Sequence, residues 1–321
     1  MKFKLLPLTL AFLLCRLLSQ AQFTDPKYAN TDKFVIGLGT LDSLNVARIA
    51  DTLTRKITDK EQKARAIFYW IAHNIAWDLK GLKSGDQRKS APEDVIKLRK
   101  ATPLGFAKLF QEMSSLANIR CLVVDGYVKN FTDDINNPAD EINHSWNVVQ
   151  LGQSPDQFFF VDVTKASGYT DKKLSVFTPS FTSNYFFPER GLFNLDHFPD
   201  NDAWQLGGGP KSRKDFYALP VFERAAYNIA LKKPVPANGV IKTKTKNRVS
   251  FSFGYDSKIP ITSVALIVGE GKRMQKPEPM NFSAANGVVS FNYQFKTEDT
   301  FPVAVLVDGN ELLHYLVEVT E

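Results

Sequence analysis

Apolar positions along the chain follow two different rhythms. In "TDKEQKARAIFYWIAHNIAWD" (Thr58 to Asp78), Ala64, Ile67, Ile71 and Ile75 recur at helical spacing. Thr58 with Glu61 ahead of them predicts a capping box. A second helix is predicted from Pro103, with the Thr102 hydroxyl as N-cap and proline at the first helical position, where no N–H is needed. Phe106, Leu109, Phe110, Met113 and Ala117 give it an apolar face. Between the two, "LKSGDQRKSAPED" reads as a loop feeding a short helix over Pro92 to Arg99. Residues 22 to about 35 read as an unanchored leader.

The rhythm then shortens. "RCLVVDGYV" predicts a buried strand over Cys121 to Val128, followed by a polar loop from Asn130 to Asn143. "HSWNVVQL" and "QFFFVDVT" predict two strands joined through "GQSPD" as a hairpin centred near Gln153. The chain to Trp204 is irregular and aromatic, and "LGGGPKSRK" marks a break. From about Ala237 strict alternation takes over in "RVSFSFGY", "ITSVALIV", "VVSFNYQF", "FPVAVLVD" and "LLHYLVEV". Asn286-Gly287 and Asp308-Gly309 supply hairpin turns. The Lys-rich "KTKTKNR" reads as a solvated strand edge kept from pairing. The fold class is therefore α+β: a leader and first helix over 22–57, a mixed domain over 58–206, a connector over 207–236, and a β-sandwich over 237–321.

Composition fits such a chain. Its 321 residues include 25 Phe, enough to fill two cores. The start adds a compartment: Lys2 and Lys4, an apolar run from Leu5 to Cys15, and Ser19-Gln20-Ala21 read as a cleaved secretory signal. That run is too short to span a bilayer. The expectation is a secreted or periplasmic protein without an integral membrane segment. Removing Lys2, Lys4 and Arg16 leaves 37 basic residues against 34 acidic ones. So small an excess, unclustered, excludes a nucleic-acid footprint. Cys121 is then the one remaining thiol, without an intramolecular partner, and its strand context makes it a small core hydrophobe.

The candidate chemistry rests on His144 and Asp162. A hairpin centred near Gln153 sets them opposite or diagonal, so the carboxylate either orients a histidine base or makes a structural hydrogen bond. The residues leave both readings open. His73, His197 and His314 are weaker candidates, and no spacing matches a zinc site. "LGGGPKSRK" lacks the lysine and hydroxyl of a phosphate loop. Neither metal nor cofactor is expected.

Five segments in order, "ARAIFYWIAHNIAWD", "LRKATPLGFAKLFQEM", "IRCLVVDGYVKN", "NHSWNVVQL" and "FFFVDVT", resemble the core of the transglutaminase-like superfamily. The later "NYFFPERGLFNLDHFPDNDAWQL" resembles its kyphoscoliosis-peptidase-like branch of secreted Bacteroidetes type. The resemblance covers about residues 60 to 206 and implies a papain-like core with a Cys-His-Asp triad. His144 matches the histidine and Asp162 the aspartate, but Pro103 stands where the nucleophilic cysteine belongs. Leu104 and Phe106 replace the acidic residue and tyrosine of that motif.

Thr102, Ser114, Ser115 and Cys121 are alternative nucleophiles. Thr102 is expected to be occupied as a cap, the serines lie along the helix, and Cys121 belongs to a strand. The expectation is a pseudoenzyme with vestigial His144 and Asp162. Thr102, Leu104, Phe106 and Trp146 would line a degenerate cleft for a protein or peptide ligand, and an Ig-like β-domain would follow. The alternatives are an active peptidase or acyl transferase with an unusual nucleophile, and a structural envelope component.

Overall fold

A computed structural model describes residues 25–154 and 157–321. The expected signal segment lies outside the described residues.

The first core forms where the helical rhythm predicts it. The helix Lys60–Asn74 buries Ala64, Ile67, Phe68, Trp70 and Ile71. Its N-cap is Asp59 rather than Thr58: the Asp59 carboxylate accepts from the Gln62 N–H at 2.8 Å. Helix Pro103–Leu116 buries Phe106, Leu109, Phe110 and Met113 and packs across strands Arg120–Val128 and His144–Gln150. These strands belong to a four-stranded antiparallel sheet in the order Phe158–Val161, His144–Gln150, Arg120–Val128, His197–Pro199.

The expected leader is anchored instead. Residues Ala29–Leu38 form a helix, and Tyr28, Thr31, Asp32 and Val35 are buried. Asp32 makes a two-pronged ion pair with Arg65, at 2.8 Å to Nε and 2.7 Å to Nη2. The Arg65 side chain is fully buried, and its guanidinium lies 4.8 Å from the Tyr28 ring centroid and 5.3 Å from that of Phe186. A charge so far from water needs such a partner, and burying the pair fixes the first helix against the third. The next helix, Val46–Thr54, adds Val46, Ile49, Ala50 and Leu53 to the same core.

The alternating region forms two sheets. One is antiparallel, in the order Lys232–Val235, Val249–Gly254, Val288–Tyr293, Phe282–Ala285. The other runs Val240–Lys244, Asn310–Thr320, Asp299–Val307, Val264–Val268, Glu278–Pro279, with the first pair parallel. Phe251, Phe253, Phe291, Leu266, Val305 and Tyr315 share one core between them. Both expected turns are present. Asn286 and Gly287 take φ of 54° and 72°, and Asp308 and Gly309 take 48° and 79°, the left-handed pair a two-residue hairpin requires. The Lys-rich segment is an edge as expected, paired on one side only, with Lys242 3.0 Å from Glu318.

The expected connector is not a free linker. Phe216 and Tyr217 are buried in a small cluster with Tyr127 and Phe198. Val221 and Phe222 pair with His314 and Leu313. The Arg224 guanidinium then reaches into the helical unit, donating to the carbonyls of Ser180 at 2.7 Å, Lys165 at 2.8 Å and Gly168 at 2.9 Å.

Candidate functional site

Asp162 lies one residue beyond strand Phe158–Val161 and N-caps the short helix Val163–Ser167. Its Oδ1 accepts from the Lys165 N–H at 3.0 Å, which leaves Oδ2 for the sheet. Asn147 pairs with Val161, so His144 is diagonal to Asp162, as the hairpin predicts. The His144 Nε2 is 2.7 Å from Oδ2. A second imidazole reaches the same oxygen: His197 Nε2 lies 3.0 Å away. Exposure is 5% for His144 and nil for Asp162 and His197.

Gly126 makes this convergence possible. It pairs with His144 on one side and Pro199 on the other. A Cβ there would sit 2.3 Å from the Phe198 carbonyl and 2.5 Å from the Trp146 ring. Without one, the strand His197–Pro199 closes onto the sheet and brings its histidine to the carboxylate. The ring of Phe193 stacks on His197 at 3.8 Å and holds its plane.

The electrostatics follow from burial and charge. Burial alone would raise the Asp162 carboxyl, but the two imidazoles beside it outweigh that and hold it far below the usual carboxylate range. Burial pushes the His197 imidazole below its ordinary value, against the pull of Asp196 and Asp162. Asp196, also buried, is held down chiefly by Lys165, whose Nζ lies 2.9 Å from its Oδ1. The donor atoms of His144, Asp162 and His197 all lie within 4.8 Å of one another. Both Nε2 nitrogens meet the Oδ2 oxygen at hydrogen-bond distance, so the three groups form a hydrogen-bonded triad through that oxygen.

Pro103 opens its helix as expected, but Thr102 does not cap it with its side chain. The Thr102 hydroxyl instead donates to Gln87 Oε1 at 2.6 Å and lies 3.2 Å from Ser90 Oγ. The reason is local: Gln87 and Ser90 in the preceding loop offer closer partners than the helix's own N–H groups. Asn147, on the histidine strand, donates to the Ala107 carbonyl at 2.9 Å and ties the first turns of this helix to that strand. The expected ligand groove is not open. Thr102, Phe106 and Trp146 are exposed by 4%, 1% and 1%, and only Leu104 reaches the surface in part. Two surface clefts lie elsewhere, one of about 170 Å³ between Val35, Ile36, Tyr69 and His73, the other of about 520 Å³ around Asn45 and Lys97.

Cys121 is buried, and burial pushes its thiol well above the usual range. Ser114 is fully buried on the helix, away from its first turn. His73 packs locally, its Nδ1 2.8 Å from the Tyr69 carbonyl. His197 is the residue that sequence reasoning passed over. Its signals were its place beside Asp196 in "LDHFP", which carries no metal or base spacing, and the resemblance of the surrounding segment to a family branch.

Residues 47–163 match the family described as the Transglutaminase-like superfamily. Human kyphoscoliosis peptidase is 34% identical over 196 residues, 61% of this chain and 29% of that protein. The mouse protein of that name is 33% identical over the same shares. Hillarin of Drosophila melanogaster is 23% identical over 212 residues, 62% of this chain and 25% of its own length. The chain thus spans less than a third of the length of these relatives.

Proposed function

We propose that this is an exported, non-catalytic transglutaminase-like protein that binds a protein or peptide partner. The reading rests on one observation above the others: Pro103 opens the helix that packs on the strand carrying an intact His-Asp pair. Proline supplies neither an attacking atom nor an N–H for an oxyanion. The alternatives to it are engaged or remote. The Thr102 hydroxyl is committed to Gln87, and Cys121 is a buried thiol on a central strand.

Partner capture falls to the C-terminal unit, which we take as Ig-like, because the residues expected to line the cleft are buried. Its four outer strands differ in how they are guarded. Lys232–Val235 carries two lysines and a proline, Val240–Lys244 two lysines, and Glu278–Pro279 is two residues long with a proline. Phe282–Ala285, reading "FSAA", has neither charge nor proline, and Ser283, Ala284 and Ala285 are exposed. An unguarded edge of this kind accepts an extended peptide as an added strand.

The test restores the missing atom. A Pro103→Cys variant is expected to be alkylated by iodoacetamide at residue 103 at least about tenfold faster than the same variant carrying His144→Ala, since a nearby base raises the thiolate fraction. The unmodified protein is expected to show no amidase or cross-linking turnover. Turnover that disappears in Thr102→Ala or Cys121→Ala overturns the reading.

A further inference from the structure

The buried polar groups around Asp162 continue past it. His197 Nδ1 has no hydrogen bond, although its ring is wholly enclosed, and it lies 3.5 Å from Asp196 Oδ2. That same oxygen accepts from two phenols, Tyr185 at 3.3 Å and Tyr227 at 3.2 Å. Tyr227 belongs to the segment Ala225–Asn228, which follows the strand paired to the C-terminal sheet and lies outside the matched family region. One chain of contacts thus leads from the connector, through Asp196, His197 and Asp162, to His144.

We propose that Tyr227 is a positioning residue for the His144–Asp162 pair, acting through the Asp196 carboxylate and the His197 ring. The inference is independent of whether the site retains chemistry. Asp196 Oδ2 has three neighbours: two hydroxyl donors and His197 Nδ1, which competes for it only when it carries a proton. While the phenols hold it, His197 stays neutral and donates only through Nε2 to Asp162. If one phenol is removed, the oxygen turns its charge toward Nδ1 and favours a proton there. His197 then becomes a charged donor to Asp162 Oδ2, draws that oxygen's charge, and leaves less for His144. The other charged groups facing this network are Lys165, on Asp196 Oδ1, Arg224, on the Lys165 carbonyl, and Glu223, which acts on Tyr185 through space. Lys129, whose buried Nζ donates to the Phe216 carbonyl at 2.6 Å, also acts on Asp196 through space. None of them changes when a phenol loses its hydroxyl.

The experiment is a pH titration of the four histidine rings by NMR in the full chain, isotope-labelled at histidine, with Tyr227→Phe as the variant. The expected result is a rise in the His197 midpoint and a fall in that of His144, each by about half to one pH unit. His73 and His314 should stay put. Tyr185→Phe removes the other phenol from the same oxygen and must shift both rings in the same senses; it stands in if Tyr227→Phe does not fold. Tyr293→Phe, whose hydroxyl contacts Glu278 in the C-terminal unit, serves as the control for losing a phenol. Unmoved midpoints overturn the proposal. So does a shift confined to His197, which would end the coupling before the pair, or a shift of both rings in one direction.

Discussion

The two halves of the molecule solve the problem of a stable interior in opposite ways. The helical and four-stranded unit encloses charge: Arg65 with Asp32, Asp162 with two imidazoles, and Asp196 with Lys165 are all nearly or wholly removed from water. The C-terminal unit encloses hydrocarbon and aromatic rings, with Phe251 stacked on Phe291 at 5.0 Å and the ring of Tyr315 edge-on to Phe251. Its ion pairs, such as Lys242 with Glu318, stay outside. Buried charges are costly alone and demand one specific partner, whereas buried apolar groups accept many neighbours. The first unit is therefore specified by a few irreplaceable pairs, the second by an alternating pattern.

The largest expected effect breaks one such pair. Asp32→Ala leaves the Arg65 charge buried without a partner and is expected to cost about 3–5 kcal/mol in urea unfolding. Replacing both groups, Asp32→Leu with Arg65→Met, should recover most of that loss. In the second unit Leu266→Ala, at a fully buried position, is expected to cost about 2–5 kcal/mol by cavity formation. No charge substitution elsewhere should recover it.

Acidity sharpens the contrast with a smaller effect. The His197 imidazole is lowered in the folded state, so the unfolded chain takes up its proton first as pH falls below about 6.5. The stability it contributes is present above that pH and lost below it. Asp162 has the same sense at lower pH, being held down in the folded state: its contribution is present above about pH 4 and lost as pH falls through its folded value. His314, raised by Glu311 at 3.0 Å against the effect of burial, has the opposite sense. Its contribution is present below about pH 6.5 and lost as pH rises through its folded value. Thermal melts of His197→Gln and His314→Gln across pH 5–8 should therefore diverge from the parent at opposite ends.

The smallest effect on stability is expected from Ala284→Lys on the unguarded edge, within about 0.5 kcal/mol of the parent. Capture of extended peptides, read on a peptide array, should nevertheless be lost. Retained capture would move the partner surface elsewhere.

The same contrast explains what could be read from the sequence. The C-terminal strands and both hairpin turns were legible because side-chain alternation and left-handed turn residues are local signals. The helix at Pro103 and the His144–Asp162 pair were legible too, the pair because one hairpin register links the two residues. What escaped depends on separation along the chain. Asp32 and Arg65 meet across 33 residues, and His197 meets Asp162 across 35. Nothing in their neighbours announces a partner. A polar stretch such as "PKYANTDKF" therefore looked like a leader while it held the counter-ion of a buried arginine. Thr102 was misread for a related reason: a hydroxyl at a helix start is a cap only if no better acceptor folds over it, and Gln87 does.

Gly126, Arg224 and His197 also bear on how the protein should be cut for study. The family match stops at residue 163, one position past Asp162. A fragment trimmed to that limit would keep the histidine and its carboxylate but lose the second imidazole. It would also leave Gly126 facing a missing strand. The three carbonyls held by Arg224 all lie beyond the cut. Such a fragment would report on a site stripped of its supports, and a boundary that leaves them in place must fall beyond both the Arg224 clamp and Tyr227.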